Sequence, residues 1–173
     1  MPTSENVPTL RGEQLYIPFV GAIIYQDSEN GLEVLVQTRE KGSDKEYSGS
    51  VEIPGGKFRA FEDVYDAVRR EAKEESGMNI TIIEGQDDRE DFENRGHQSS
   101  LIKPYCVTQM KQGPFIGLIF LCKAEGEPIQ KTNETKEAKW MPISEVKEIV
   151  ENQPEKIYTA FLAPLKKFVR EHN

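Results

Sequence analysis

The chain has 173 residues, 36% of them hydrophobic and 30% charged, enough apolar material for one globular core with decorated ends. Its 22 Lys and Arg stand against 30 Asp and Glu, a formal net charge of −8. That balance argues against nucleic acid or an anionic membrane as the main partner, since both are held through basic patches, but it is compatible with a small phosphorylated ligand whose charge is met by a metal ion. No apolar run reaches the roughly 20 residues that a membrane helix needs, and the start MPTSENVPTLRGEQ lacks the basic-then-apolar layout of a signal peptide. A soluble cytoplasmic protein is expected. Cys106 and Cys122 lie in apolar runs without disulfide or metal spacing and read as small core residues.

Taken in chain order, residues 1–14 read as a loose arm rich in Pro, Ser, Thr and Asn. LYIPFVGAIIY, residues 15–25, is rich in strand formers, and Pro18 marks an edge strand or a strand start. After the turn DSENG, LEVLVQTRE alternates as a half-buried strand. KGSDKEYSGS reads as a loop and VEIPGG as a short strand ending in a diglycine turn. AFEDVYDAVRREAKEES is the clearest helix, stopped by Gly77 as its C-terminal cap.

NITIIEG reads as a strand, and the acidic segment 86–100 as an insertion loop. LIKPYCVTQM and FIGLIFLCKAEGE make a hairpin around KQGP. PIQKTNETKEAK is expected as loop. WMPISEVKEIVEN enters a helix with Ser144 as N-cap, and the chain closes on a helix bent at Pro164. Without repeats or a composition break, residues 1–173 are expected to form a single domain.

The helix carries an anomaly. At 100° per residue, Val64, Ala67, Val68 and Glu75 lie within about 60° of Glu71, and Glu74 lies about 60° to the other side. The apolar stripe thus runs into three carboxylates. Like charges at i,i+4, here Glu71 and Glu75, cost a few tenths of a kcal/mol even when exposed. In a partly buried cleft an unpaired carboxylate costs several kcal/mol. A hard divalent cation such as Mg²⁺, which takes few carboxylates and keeps waters that a phosphate can displace, removes the cost.

The surrounding residues sharpen this. GKFRAFEDVYDAVRREAKEESGM, Gly56 to Met78, resembles the signature of the Nudix hydrolases, G-x5-E-x7-R-E-U-x-E-E-x-G-U with U a bulky aliphatic. Gly56, Glu62, Arg70, Glu71, Glu74, Glu75 and Gly77 all match, while Ala72 and Met78 fill the U positions, Ala72 being smaller than usual. Seven such matches arise by chance at about 10⁻⁸ per window. The resemblance implies an α/β/α sandwich on a mixed β-sheet, the signature forming a loop–helix–loop. It also implies Mg²⁺-dependent cleavage, with Mn²⁺ as a substitute, of a nucleoside diphosphate linked to another group. By position, Glu71, Glu74, Glu75 and the backbone carbonyl of Gly55 are the implied metal ligands, and Glu71 is alternatively the base that deprotonates the attacking water. Arg70 would orient the carboxylates through a charge-assisted pair, and Glu62 is a structural or outer carboxylate.

Substrate identity is less sharply written. GEPIQKTNETKEAKW looks like the segment of MutT-type members that runs through a glutamate to a tryptophan six residues later, which makes Glu134 a candidate further metal ligand or base, with Glu137 behind it. Trp140 itself reads as a framework aromatic. IPGGK resembles the FPGGK of MutT-type nucleoside triphosphate pyrophosphohydrolases. The proline typical of ADP-ribose pyrophosphatases about sixteen residues past the signature is missing, and so is the lysine-glycine-histidine turn of dinucleoside polyphosphate hydrolases. These features lean toward a triphosphate substrate. ADP-ribose or nucleotide-sugar cleavage is the alternative, and a nucleotide sensor without turnover is a reading of another class. Arg39 and Lys57 are candidate phosphate contacts. Segment 86–100 is read as a lid, a homodimer contact or a surface loop, and His97 within it as a surface histidine.

Overall fold

The computed structural model describes residues 7–40, 46–111 and 113–172. The expected arm opens instead with a small ribbon, β1 (Thr9–Leu10) and β2 (Glu13–Gln14), paired antiparallel. Arg11 and Gly12 both take positive φ at its tip, the turn that matches strand twist in a two-residue hairpin. Residues 1–6 of that arm, and 41–45 of the loop after the second predicted strand, lie outside the described residues.

The centre is a mixed sheet in the order β10 (Cys106–Met110), β11 (Phe115–Glu125), β3 (Ile17–Ser28), β4 (Gly31–Arg39) and β12 (Thr135–Pro142). β11 and β3 run parallel and the other neighbours along this path antiparallel. Three short strands attach to it: β5 (Val51–Glu52) on β4, β6 (Gly55–Lys57) on β3 and β7 (Asn79–Ile83) on β11. Pro18 is the second residue of β3, so it marks a strand start inside the sheet, where a missing N–H is tolerated.

Alternation along β3 and β4 feeds two apolar layers. Phe19, Ile23, Val34 and Val36 face α2 (Ile143–Asn152) and α3 (Thr159–His172), and are joined there by Phe161, Leu165 and Phe168. Val20, Ala22, Ile24 and Leu35 face α1 (Val64–Ser76), against Tyr65, Ala67, Val68 and Ala72. Because both faces are covered, β3 is apolar at nearly every position rather than at alternate ones.

α1 starts at Val64, four residues later than its pattern suggests. Asp63 is the N-cap, its carboxylate accepting the Tyr65 N–H at 2.9 Å, and Phe61 ahead of it has φ +65. Gly77 ends the helix at φ 78, donating its N–H to the Lys73 carbonyl at 3.1 Å.

Three expectations change. Segment 86–100 is not a loop: β8 (Glu90–Asn94) and β9 (His97–Leu101) pair as a fully exposed ribbon, turned by Arg95 and Gly96 at positive φ. Its polar composition hid a structure that buries almost nothing. Arg89 latches its base to Asp63, to Asp91 at 2.8 Å and to Ser100 at 2.9 Å. Of the predicted loop 128–139, residues 135–139 are in fact the first part of β12, which a bulge between Lys136 and Lys139 keeps in step with β4. Finally, Ser144 lies inside α2. Pro142 is the N-cap and gives no side-chain hydrogen bond. α3 runs through Pro164, preceded by a 3₁₀ turn at Pro154–Lys156. Among the described residues no helix is long and apolar enough to cross a membrane.

Candidate active site

The last two turns of α1 lie over β6 and the ends of β4 and β5. Glu71 and Glu75 are buried, at 9% and 6% exposure, as the helical arithmetic predicts. Glu74 is not: its side chain is 54% exposed, because its direction falls at the edge of the packed stripe.

Gly56 is the seat of Glu71. A Cβ built there would stand 2.3 Å from Glu71 Oε2, so only glycine lets the carboxylate lie on the strand. Gly55 has a different reason: its Cβ would meet the Val20 carbonyl oxygen at 2.4 Å. The pair is thus strand rather than free turn, registered against Gly21 and Val20. The Gly55 N–H donates to Glu75 Oε2 at 3.0 Å.

Arg70 ties the signature together. It donates to both oxygens of Glu62, at 2.6 and 2.9 Å, to the Lys57 carbonyl at 3.2 Å and to Glu74 at 3.3 Å. The nitrogen that reaches Glu74 also bonds Glu71. Hydrogen bonding from Arg70 holds the Glu62 carboxyl below its ordinary range, and the Glu62 bond in turn pushes the guanidinium further up. Lys57, exposed at the end of β6, lends its backbone to this cluster.

Glu134 lies exposed just before β12. Its carbonyl accepts the Glu40 N–H at 2.8 Å, and the next residue, Thr135, donates its hydroxyl to the Glu75 carbonyl at 2.9 Å. The loop carrying Glu134 is therefore docked on the C-terminal turn of α1. Glu137 occupies the β12 bulge with φ 55 and accepts from Thr38 Oγ1 at 3.4 Å. Arg39 turns inward instead of projecting toward a phosphate: it pairs with Glu52 at 3.0 Å and lies 4.2 Å over the Tyr158 ring. His97 sits in the exposed ribbon. Trp140 packs on the α1-side core.

Two residues of this site are absent from the motif reading, Gln37 and Glu52, at 1% and 2% exposure. Both occupy strand positions that alternation turns toward α1, Gln37 two after Leu35 and Glu52 between Val51 and Ile53. A polar residue at an apolar-phase position was the available signal.

The donors suit a hard divalent cation: carboxylates, with glycine backbone lying against them and no sulfur or imidazole in the set. Among the described residues no three His, Cys, Asp or Glu side chains already converge as a metal cage. Glu71 and Glu74 instead share the Arg70 guanidinium.

The fold is a three-layer sandwich with an acidic helix over a diglycine strand. The NUDIX domain model matches residues 15–161, and the chain belongs to the Nudix family, pyrophosphohydrolases of nucleoside diphosphate derivatives that generally use divalent metal ions. Solved structures share the fold. The MutT NUDIX hydrolase of Burkholderia pseudomallei is 21% identical, with 76% of this chain and 86% of that one covered at TM-score 0.54. The MutT protein of Methanosarcina mazei Go1 is 23% identical, with 92% and 96% covered at 0.57. The NUDIX domain of Shewanella oneidensis NrtR, complexed with ADP ribose, is 16% identical, with 96% and 94% covered at 0.63. No curated protein matches the chain.

Proposed function

We propose that the protein hydrolyses a nucleoside triphosphate to the monophosphate and pyrophosphate, using Mg²⁺ held by Glu71, Glu74, Glu75, the Gly55 carbonyl and Glu134. The observation that carries this reading is the burial of Glu71 on the side-chain-free strand at Gly56, inside a complete signature. Arg70 offsets part of the cost of that burial, and a bound cation would offset more of it. When bound, the metal supplies a water of lowered pKa and neutralises charge on the departing phosphate.

The chain's own residues do the rest. Arg70 holds Glu62, Glu71 and Glu74 in one array, so their orientation is set before substrate arrives and costs nothing during the reaction. Glu71, or Glu134 from its docked loop, takes the proton of the attacking water. Lys57 meets the phosphates as a point charge. A triphosphate is preferred because IPGGK matches the MutT-type turn and the chain is Pro-free from Gly77 to Pro104. A cytoplasmic setting accords with free Cys106 and Cys122.

The test is a nucleotide panel with Mg²⁺, comparing wild type with Glu74→Gln. Several kcal/mol of lost charge stabilisation corresponds to a fall of about 10²–10³-fold in kcat. ADP ribose, the ligand in the NrtR structure, enters the panel as the competing substrate. Faster turnover of ADP ribose than of any triphosphate replaces the substrate reading. A Glu74→Gln protein as fast as wild type, or no phosphate release from any substrate, overturns the catalytic one.

A further inference from the structure

We propose that Gln37 is a positioning residue for Glu75, and that Gln37, Glu52 and Arg39 form the fixed back wall of the carboxylate site. This rests on the reading of Glu75 as a metal-holding group.

Gln37 Nε2 donates to Glu75 Oε2 at 2.8 Å and lies 3.4 Å from Glu52 Oε1. Because both neighbours are acceptors, the amide has only one workable orientation. The Gly55 N–H donates to the same Glu75 oxygen at 3.0 Å, so strand and side chain grip one atom from two directions. Behind them Glu52 is paired to Arg39 at 3.0 Å, and Arg39 is clamped over Tyr158 at 4.2 Å. The chain of contacts runs from a packed aromatic to a helix carboxylate with no exposed link.

An argument from cost supports a positioning role. Gln37 is 1% exposed, and its own Oε1 has no hydrogen-bond partner among the described residues. Leu35, two residues before it on the same face, is apolar and buried. A buried amide with an unsatisfied carbonyl is a poor way to fill a core position, so the fold alone would favour an aliphatic residue there. What an aliphatic residue cannot do is hold the Glu75 oxygen. Partners that orient a metal-holding carboxylate in this way typically change metal affinity or activity by about 10–100-fold when removed.

The test uses the full chain and Mn²⁺ alone as probe. Free Mn²⁺ is followed by electron paramagnetic resonance during titration of nucleotide-free wild type, Gln37→Leu, Gln37→Asn and Met78→Ala. Gln37→Leu removes the donor at similar volume, and Gln37→Asn keeps an amide but withdraws it by one methylene. Met78→Ala empties a buried core position just past the end of α1. Both Gln37 variants are expected to weaken Mn²⁺ binding and raise the Mg²⁺ midpoint of turnover about 10- to 100-fold, with nucleotide KM at saturating metal unchanged. Met78→Ala should lower the melting temperature and leave Mn²⁺ affinity within about twofold.

If Gln37→Leu fails to fold, Gln37→Asn carries the test. Mn²⁺ affinity unaltered in the folded Gln37 variants overturns the proposal and spares the metal reading. An equal loss in Met78→Ala overturns it too, because the effect would then be general loosening of the helix end. No Mn²⁺ binding by wild type overturns both readings.

Discussion

The two faces of the sheet are built from the same strands but finish differently. On the α2–α3 side, Phe19, Ile23, Val34 and Val36 meet Phe161, Leu165 and Phe168 in an apolar layer. On the α1 side, an equally apolar start at Val20, Ala22, Ile24 and Leu35 gives way within one strand length to Gln37, Glu52, Glu71 and Glu75. The difference shows a division of labour. One face stores stability, and the other gives some up to hold charge where water is scarce, offset by Arg39 and Arg70.

The sharpest way to break that contrast is Phe168→Ala, which empties a fully buried site on the α2–α3 side. Chemical denaturation should show a loss of about 3–5 kcal/mol, while kcat at a temperature where the variant is folded stays near wild type. The reverse experiment is Gly56→Ala. The new methyl takes the place of the Glu71 carboxylate, so kcat should fall about tenfold or more with only a minor change in melting temperature, because the displaced group is the end of a flexible side chain. Equal effects of both variants on stability and turnover would erase the division.

The smallest expected effect concerns acid. Arg70 hydrogen bonds hold the Glu62 carboxyl below its ordinary value of 4.5. A carboxyl depressed in the folded state contributes stability that is complete above the unfolded pKa and is lost as pH falls through the folded one. Glu62→Gln should therefore lower the melting temperature at neutral pH. The gap to wild type should close as pH drops below about 4.5. A gap that stays constant into acid would mean that Glu62 acts through packing alone.

The sequence made some of this legible and hid the rest, for identifiable reasons. α1 was readable because its stripe, its Gly77 stop and its seven signature residues are all local in the chain. The hairpin of β10 and β11 was readable because apolar runs flank a Gly-Pro turn. The ribbon of β8 and β9 was not, since periodicity reports burial and this ribbon has none. Glu74 fell on the margin of the helical stripe, where the reach of neighbouring elements decides exposure. Gln37 and Glu52 were in view but mute: their meaning depends on the register that sets Gln37 opposite Glu52 and on a helix 38 positions away from Gln37. Arg39 reads from sequence as a candidate phosphate contact because its partners Glu52, 13 residues away, and Tyr158, in another layer, are not visible locally.

The bulge at Glu137 has a consequence for insertions and deletions. Between Lys136 and Lys139, β12 spends one residue more than β4 spends between Thr38 and Val36. The strand therefore has two independent phases, one set by Trp140 and Met141 in the core, the other by Thr135 on the end of α1. Removing Glu137 would restore one-to-one pairing and leave both phases in place, with Thr135 still opposite Arg39 and Trp140 still opposite Leu35. The protein would keep both its core and its docked loop, so the sheet absorbs a one-codon deletion there, whereas the same deletion in the middle of β4 would turn one end of that strand inside out.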